Sequence, residues 1–278
     1  MSEQPRGVLY PKARERWFTV SRRPASPELA DLVEYHWTVR WDLRGRAPYP
    51  QHVMADPVVH LAIESERSEV VGVATGRFTR LLEGQDWVFG IKFRPAGFRP
   101  FLGSAVAALT NRTLPLRAIF GVGGEGLAER IRSLDDDVRM AQTAEQFIHA
   151  QRVAPDRMVT MVNGIVARIM KERQITRVAD VVSRTGIGER RLRRLFAEYV
   201  GVHPKWVIQR YRLHEAAERL AADEEVNLAA LALELGYFDQ AHFARDFRAI
   251  VGRPPADYAR TAASAPDQEA PPGRDLPS

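Results

Sequence analysis

Two periodicities divide the chain. Over its first hundred residues the apolar positions alternate or run in short β-branched blocks. "EYHWTVRWDL" alternates, "PVVHLAIE" is a brief apolar run, and "EVVGVATG" and "DWVFGIKFRP" are bounded by Gly, Pro or Asp. These stretches predict strands joined by turns. From about Pro100 the spacing changes to three and four residues in "FRPFLGSAVAALTN", "LAERIRSL" and "TAEQFIHAQRV", which predicts helices separated by the glycine-rich break GVGGEG. "PDRMVTMVNGIVARIMKER" predicts another helix opening at Pro155 and Asp156, and helical spacing continues from Gln174 to about Tyr258. The last stretch, "TAASAPDQEAPPGRDLPS", carries little hydrophobic content and is expected to be disordered.

The helical half contains a weak internal repeat. "ITRVADVVSRTGIGERRLRRLFAEYVGVHPKWVI" and "NLAALALELGYFDQAHFARDFRAIVGRPPADYA" each give a short helix, a glycine turn, and a second helix ending in Phe-x-x-x-x-Gly. A proline-led segment then follows. Gly186 and Gly236 occupy the turns, Gly201 and Gly252 end the second helices, and Phe196 and Phe247 correspond as core residues. Each unit has the form of a helix-turn-helix, in which the turn needs a left-handed residue and Ala179 or Ala232 allows the first helix to pack closely. "PKWVIQRYRLHEAAERLAA" predicts a linking helix started by Pro204. Its roughly 18 residues span about 27 Å, which suits two reading helices about one DNA turn, ~34 Å, apart.

"GERRLRRLFAEYVG" puts Arg190, Arg191, Arg193 and Arg194 beside a stripe of Leu192, Leu195, Phe196 and Tyr199. Arg190, Arg193 and Arg194 share a face, and Arg191 lies about 100° off it. The alternative is a solvated face neutralised by Glu189 and Glu198. Placement on the second helix of a helix-turn-helix favours DNA, because arginine binds guanine O6 and N7 bidentately and also reaches phosphate. Leu192, Leu195, Phe196, Phe243, Phe247, Val182, Leu231 and Leu235 are expected in the core, with Asp239 capping the second reading helix.

Composition narrows the classes. In 278 residues, 45% are apolar and 27% charged, as in a globular protein with a substantial core. The absence of cysteine excludes disulfides, thiolate catalysis and cysteine-ligated zinc. The net charge of +5 is modest and evenly spread, so local clustering carries the electrostatic argument. No signal-peptide core or membrane span is readable, and a cytoplasmic location is expected.

The quoted repeat resembles the AraC/XylS family of transcriptional regulators. "LALELGYFDQAHFARDFRAIVGRPPADYA" reproduces the family's Gly-aromatic-x-Asp-x-x-x-Phe-x-x-x-Phe-x-x-x-x-Gly-x-x-Pro spacing, with Phe238 an unusual residue before the Asp. The resemblance implies DNA contacts by Arg190, Arg191, Arg193 and Arg194 on the first reading helix and by Gln240, His242 and Arg245 on the second. Double-stranded operator DNA is the implied partner, and RNA polymerase, a small-molecule effector and a second copy of the chain are compatible with it. "YHW", "MADPVVHLAI" and "GIKFRPAGFRPFLG" are similar to a cupin-like domain found on some of these regulators.

The expected fold is therefore α+β. A β-rich, cupin-like sensor occupies 1–115, a helical connector and dimerising region 116–170, an all-α double helix-turn-helix 171–262, and a tail 263–278. Trp37, Trp41, Trp87 and Phe93 are candidates to line an effector pocket. His52, His60 and Glu64 invite a metal reading, but their spacing departs from the cupin pattern, so neither metal nor cofactor is expected. No nucleophile, base and acid are arranged for catalysis, and GVGGEG lacks the form of a phosphate loop. A cupin-like enzyme fused to a DNA-binding domain is the rival reading.

Overall fold

The alternating stretch around His36 forms the longest strand of an antiparallel sheet, and its two faces separate as the sequence pattern requires. A computed structural model of the chain describes residues 17–222 and 226–263. Eight strands precede the helices: β1 Thr19–Pro24, β2 Val33–Asp42, β3 Tyr49–Val53, β4 His60–Glu64, β5 Ser68–Val71, β6 Phe78–Leu82, β7 Gln85–Phe93 and β8 Thr113–Pro115. Six form one sheet in the order β1-β2-β7-β4-β5-β8, and β3 pairs with β6 in a separate ribbon. Register fixes the faces: Thr38 lies opposite Phe89, Trp37 opposite Gly90, and Leu61 opposite Ile91. The ribbon covers one end of the sheet through Leu82 and Tyr49, which meet Trp41, Val39 and Val88.

The other face, bearing Phe89, Ile91, Phe93, Leu61 and Ile63, is buried by α1 Leu116–Arg132 and α2 Asp137–Ala150. Phe147 of α2 and Leu127 of α1 enter the same core. Each such side chain contributes roughly 1.5 to 3 kcal/mol on burial. GVGGEG breaks the helix as the sequence suggested, but at a single residue: Gly121 is non-helical (φ 56°, ψ −144°) and kinks α1, and the helix resumes through the glycines that follow it. The expected helix over "FRPFLGSAVAALTN" is absent; short 3-10 turns at Arg99–Phe101 and Val106–Leu109 replace it.

Seven further helices are described: α3 Arg157–Lys171, α4 Val178–Thr185, α5 Glu189–Tyr199, α6 Pro204–Ala222, α7 Leu228–Glu234, α8 Gln240–Val251 and α9 Pro255–Ala263. Asp156 caps α3 by accepting from the Met158 N–H at 2.8 Å. The stretch expected to act as one connector is divided between two cores. Helices α1 and α2 belong to the sheet, while α3 packs with α4, α5 and the first half of α6. The second half of α6 packs with α7, α8 and α9. Thus α6 is a shared spine, one end in each core. The tail expected beyond residue 263 lies outside the described residues.

Candidate nucleic-acid interface

The first unit is α4, a turn and α5. Asp180 organises the start of α4 by accepting from the Thr176 and Arg177 N–H groups at 2.9 and 2.8 Å. Gly186 ends the helix at φ 67°, a left-handed conformation that a side chain would strain. Helix α5 then buries Leu192 and Phe196 completely and Leu195 almost so. Arg190, Arg191, Arg193 and Arg194 are all exposed. At about 100° per residue, Arg190 and Arg194 stand on the pole opposite the buried stripe, with Arg191 and Arg193 flanking them on either side.

The carboxylates expected to neutralise this face largely do not. Glu189 pairs with Arg193 at 2.5 Å, an exposed i,i+4 contact worth only a few tenths of a kcal/mol. Glu198 turns away and pairs with Arg99 of the β-rich region at 2.6 Å. Among the described residues no carboxylate pairs with Arg190, Arg191 or Arg194, so their positive field faces solvent.

The second unit is α7, a turn and α8. Asn227 caps α7 by accepting from the Ala229 and Ala230 N–H groups, both at 3.0 Å. Gly236 holds φ 82°, and a Cβ there would meet the Thr176 Cβ at 2.5 Å, so the turn of the second unit packs closely on the segment that leads into α4. Asp239 caps α8 as expected, accepting from the His242 N–H at 2.7 Å. Tyr237 is buried, with its ring perpendicular to His242 at 5.2 Å and close to Phe243. The His242 ring is further engaged by Asp246 at 3.5 Å, whereas Gln240 and Arg245 are exposed. Of the two alanines expected to allow close packing, Ala232 is fully buried but Ala179 is exposed. Counted back from the turn glycines, position 182 corresponds to Ala232, and that place is held by a half-buried valine.

Residues 181–261 match the model of a family described as "Helix-turn-helix domain". They form an AraC-type helix-turn-helix domain. Residues 21–115 match a family described as "Domain of unknown function (DUF6597)". No curated protein matches the chain. Among solved structures it is similar to ToxT from Vibrio cholerae O395, at 12% identity over 89% of this chain and 98% of that one, with a TM-score of 0.38. It is also similar to unsaturated fatty acid bound wild-type ToxT from V. cholerae strain SCE256, at 12% identity over 93% and 97% of the two chains, with a TM-score of 0.36.

The β-rich region grips the AraC-type domain at several places, none foreseen from sequence. Met54, just after β3, is buried in the core of the second unit with Leu213, Phe243 and Phe247. Two residues on, Asp56 accepts from Lys92 Nζ at 2.5 Å and lies 3.4 Å from His214 Nε2 on the spine helix α6. Burial alone would raise the Asp56 carboxyl, but Lys92 and then His214 outweigh it and hold its pKa at about 2. Burial likewise works against the Lys92 ammonium, yet Asp56, Tyr35 and Glu34 keep its pKa above the ordinary lysine value. Arg210 of α6 donates to the Thr75 carbonyl at 2.8 Å and stacks over Trp206. The first unit is held by Thr110, which donates to the Gly201 carbonyl at 2.6 Å, and by the Arg99–Glu198 pair.

The four aromatics proposed to surround one pocket do not meet. Trp37 and Trp41 point to one face of the sheet and Trp87 and Phe93 to the other, because the β2–β7 register sets Arg40, not Trp41, opposite Trp87. Phe93 is packed solid against Phe98 and Phe101, and Trp37 lies on Gly90. Trp41 and Trp87 do border a common surface cleft of about 650 Å³, which also takes in Trp17, Arg40 and Asp86. His52 sits against Arg77 and Thr79, and Glu64 is paired with Arg67 and Arg80. His60 begins β4, the strand that Glu64 ends, and His52 is on β3; the His60 pKa is pushed down to about 4 by burial and by Lys92. Among the described residues no three His, Asp or Glu groups are placed to hold a metal ion, and no helix is long and apolar enough to cross a membrane.

Proposed function

We propose that this chain is a sequence-specific, DNA-binding transcriptional regulator of the AraC/XylS type. The observation that carries the reading is a duplicated AraC-type unit whose two second helices turn exposed, hydrogen-bonding side chains away from their cores. Helices α5 and α8 enter adjacent major-groove segments, and Arg190 and Arg194, at the pole of α5, reach base edges. Arg191 and Arg193, on its flanks, meet phosphate and set register. On α8, Gln240 reads a base and Arg245 reaches the backbone, while His242, held by Tyr237 and Asp246, has less freedom to do either.

The β-rich region regulates by holding the two units. A small molecule or partner protein acting there shifts the balance between arrangements of α5 and α8 only as far as it binds one arrangement better, typically by about 1 to 3 kcal/mol. The cleft bordered by Trp17, Trp41 and Trp87 is the candidate effector site. Contacts with RNA polymerase and pairing of two copies are compatible with this reading, as is a cytoplasmic location.

Selection of bound sites from random DNA by the full chain tests the proposal. The expected product is a site of roughly 15 to 20 base pairs with two short determinants about one helical turn apart. Arg194→Ala and Gln240→Ala each relax preference at one position and cost about 1 to 3 kcal/mol, whereas Arg191→Ala weakens all sequences and lowers the salt slope by about one. Equal affinity for selected and random DNA would contradict the reading. So would a footprint of one short patch.

A further inference from the structure

Phe238 is 88% exposed, the most exposed of the large apolar side chains among the described residues. A single exposed apolar residue usually needs no explanation, but this one is placed by the turn of the second unit. From the turn glycine to the helix cap, the first unit has one intervening residue (Gly186, Ile187, Gly188) and the second has two (Gly236, Tyr237, Phe238, Asp239). The extra residue is an aromatic. Tyr237 turns inward beneath His242 and Phe243, Asp239 is extended (φ −150°, ψ 168°) and caps α8, and Phe238 between them turns outward. It therefore stands immediately before the first turn of the reading helix, the part of such a helix that approaches base edges.

The chemistry around it is unlike that of the first unit. Four arginines crowd α5, whereas the exposed start of α8 offers Phe238, Gln240 and Ala241. The Asp239 carboxylate is already committed to the cap. A phenyl ring cannot pair with the donors and acceptors of a G·C edge, and would leave them desolvated and unmatched. The thymine C5-methyl is the apolar group the major groove presents, and glutamine matches adenine N6 and N7.

We infer that Phe238 is a base-reading residue whose ring covers a thymine methyl group, so that the second unit reads A·T pairs while the arginine-rich first unit reads guanines. The inference rests on the DNA-binding reading above and goes further, in that it assigns opposite base preferences to the two halves of one operator.

The test uses the full chain and the site it selects from random DNA. Each thymine in the half-site under α8 is replaced in turn by deoxyuridine, which removes the methyl and keeps the pairing. The wild type should lose about four-fold in affinity at one thymine, the effect of returning one buried methyl to water. Phe238→Ala should bind the thymine and uracil duplexes equally, and Phe238→Leu should retain part of the difference. An unchanged melting temperature of each variant shows that the exposed substitution leaves the fold intact. Insensitivity of the wild type to every uracil replacement overturns the inference, as does a full thymine preference in Phe238→Ala. If Phe238→Ala binds DNA like the wild type but loses activation of transcription by purified RNA polymerase, the residue is a protein contact instead. Failure of the wild type to select any site removes the DNA-binding reading itself, which the other outcomes leave standing.

Discussion

Replacing Asp56 by asparagine removes one charge from the buried cluster that ties the β-rich region to α6. Asp56 and Lys92 have side chains only 14% and 8% exposed and lie 2.5 Å apart. Stranding one partner of such a pair costs about 3 to 5 kcal/mol. The low end is expected here, because Glu34, 3.1 Å from Lys92, remains as a half-exposed partner. The carboxyl's pKa gives a second, smaller figure. Held at about 2 against an ordinary 3.8, it is worth about 2 kcal/mol of stability. That contribution is present above pH 4 and lost as pH falls through 2, since the depressed pKa belongs to the folded state. The two figures differ because the first includes the cost of leaving Lys92 buried without Asp56, whereas the second measures only the preference of the folded protein for the ionised carboxyl. The assay is urea unfolding at pH 7, followed by tryptophan fluorescence, for Asp56→Asn, Lys92→Met and the double variant. Asp56→Asn should lose about 3 kcal/mol. The double variant should recover most of it, because an apolar side chain strands no charge. A loss below about 1 kcal/mol in Asp56→Asn, or a double variant no better than the single one, would refute the view that a desolvated ion pair holds this junction.

Met54→Ala should destabilise the second unit by about 2 to 5 kcal/mol, through the cavity left beside Phe243 and Phe247. Hydrogen exchange should show α8 less protected and α5 unchanged, and equal changes in both would count against it. Gly90→Ala places a Cβ 2.1 Å from Trp37 Cε2 and should cost about 1 to 3 kcal/mol; thermal melting should show partial relief when Trp37→Leu is added. Raising salt should weaken DNA binding by Arg191→Ala less steeply than binding by the wild type, and parallel slopes would place Arg191 away from phosphate.

The helix-turn-helix units were legible because their signals are local. The cap at Asp239, left-handed glycines at 186 and 236, and apolar residues at three- and four-residue steps each act within one or two turns of chain. Strands β2, β4, β5 and β7 were legible for the same reason, through alternation. Strand β1 was not, because "TVSRRP" lies at the sheet edge with little burial to impose a pattern, and the proline in β3 hides another strand. In α1 the glycines after Gly121 carry no side chains, so the periodicity vanishes from the sequence although the backbone there stays helical. The aromatic pocket failed on register: Trp37 and Trp41 share a face by their even spacing, but their relation to Trp87 and Phe93 depends on how β2 pairs with β7. Nothing local marks Asp56 and Lys92, which only the fold brings together with side chains 14% and 8% exposed.

Met54 has a consequence for how such chains can be recombined. A reader that completes its own interior can be joined to any sensor by a linker, and the two can be exchanged freely. Here one residue of the β-rich region fills the second helix-turn-helix unit, so a chimera made by cutting between α2 and α3 inherits an unplugged hole as well as a new N-terminal region. Transplanting the AraC-type domain successfully requires that the incoming sensor supply an apolar side chain at the same spot, or that the hole be filled from within by a larger neighbour. The β-rich region and the helix-turn-helix domain are separate in sequence, but as units of inheritance they have to travel together.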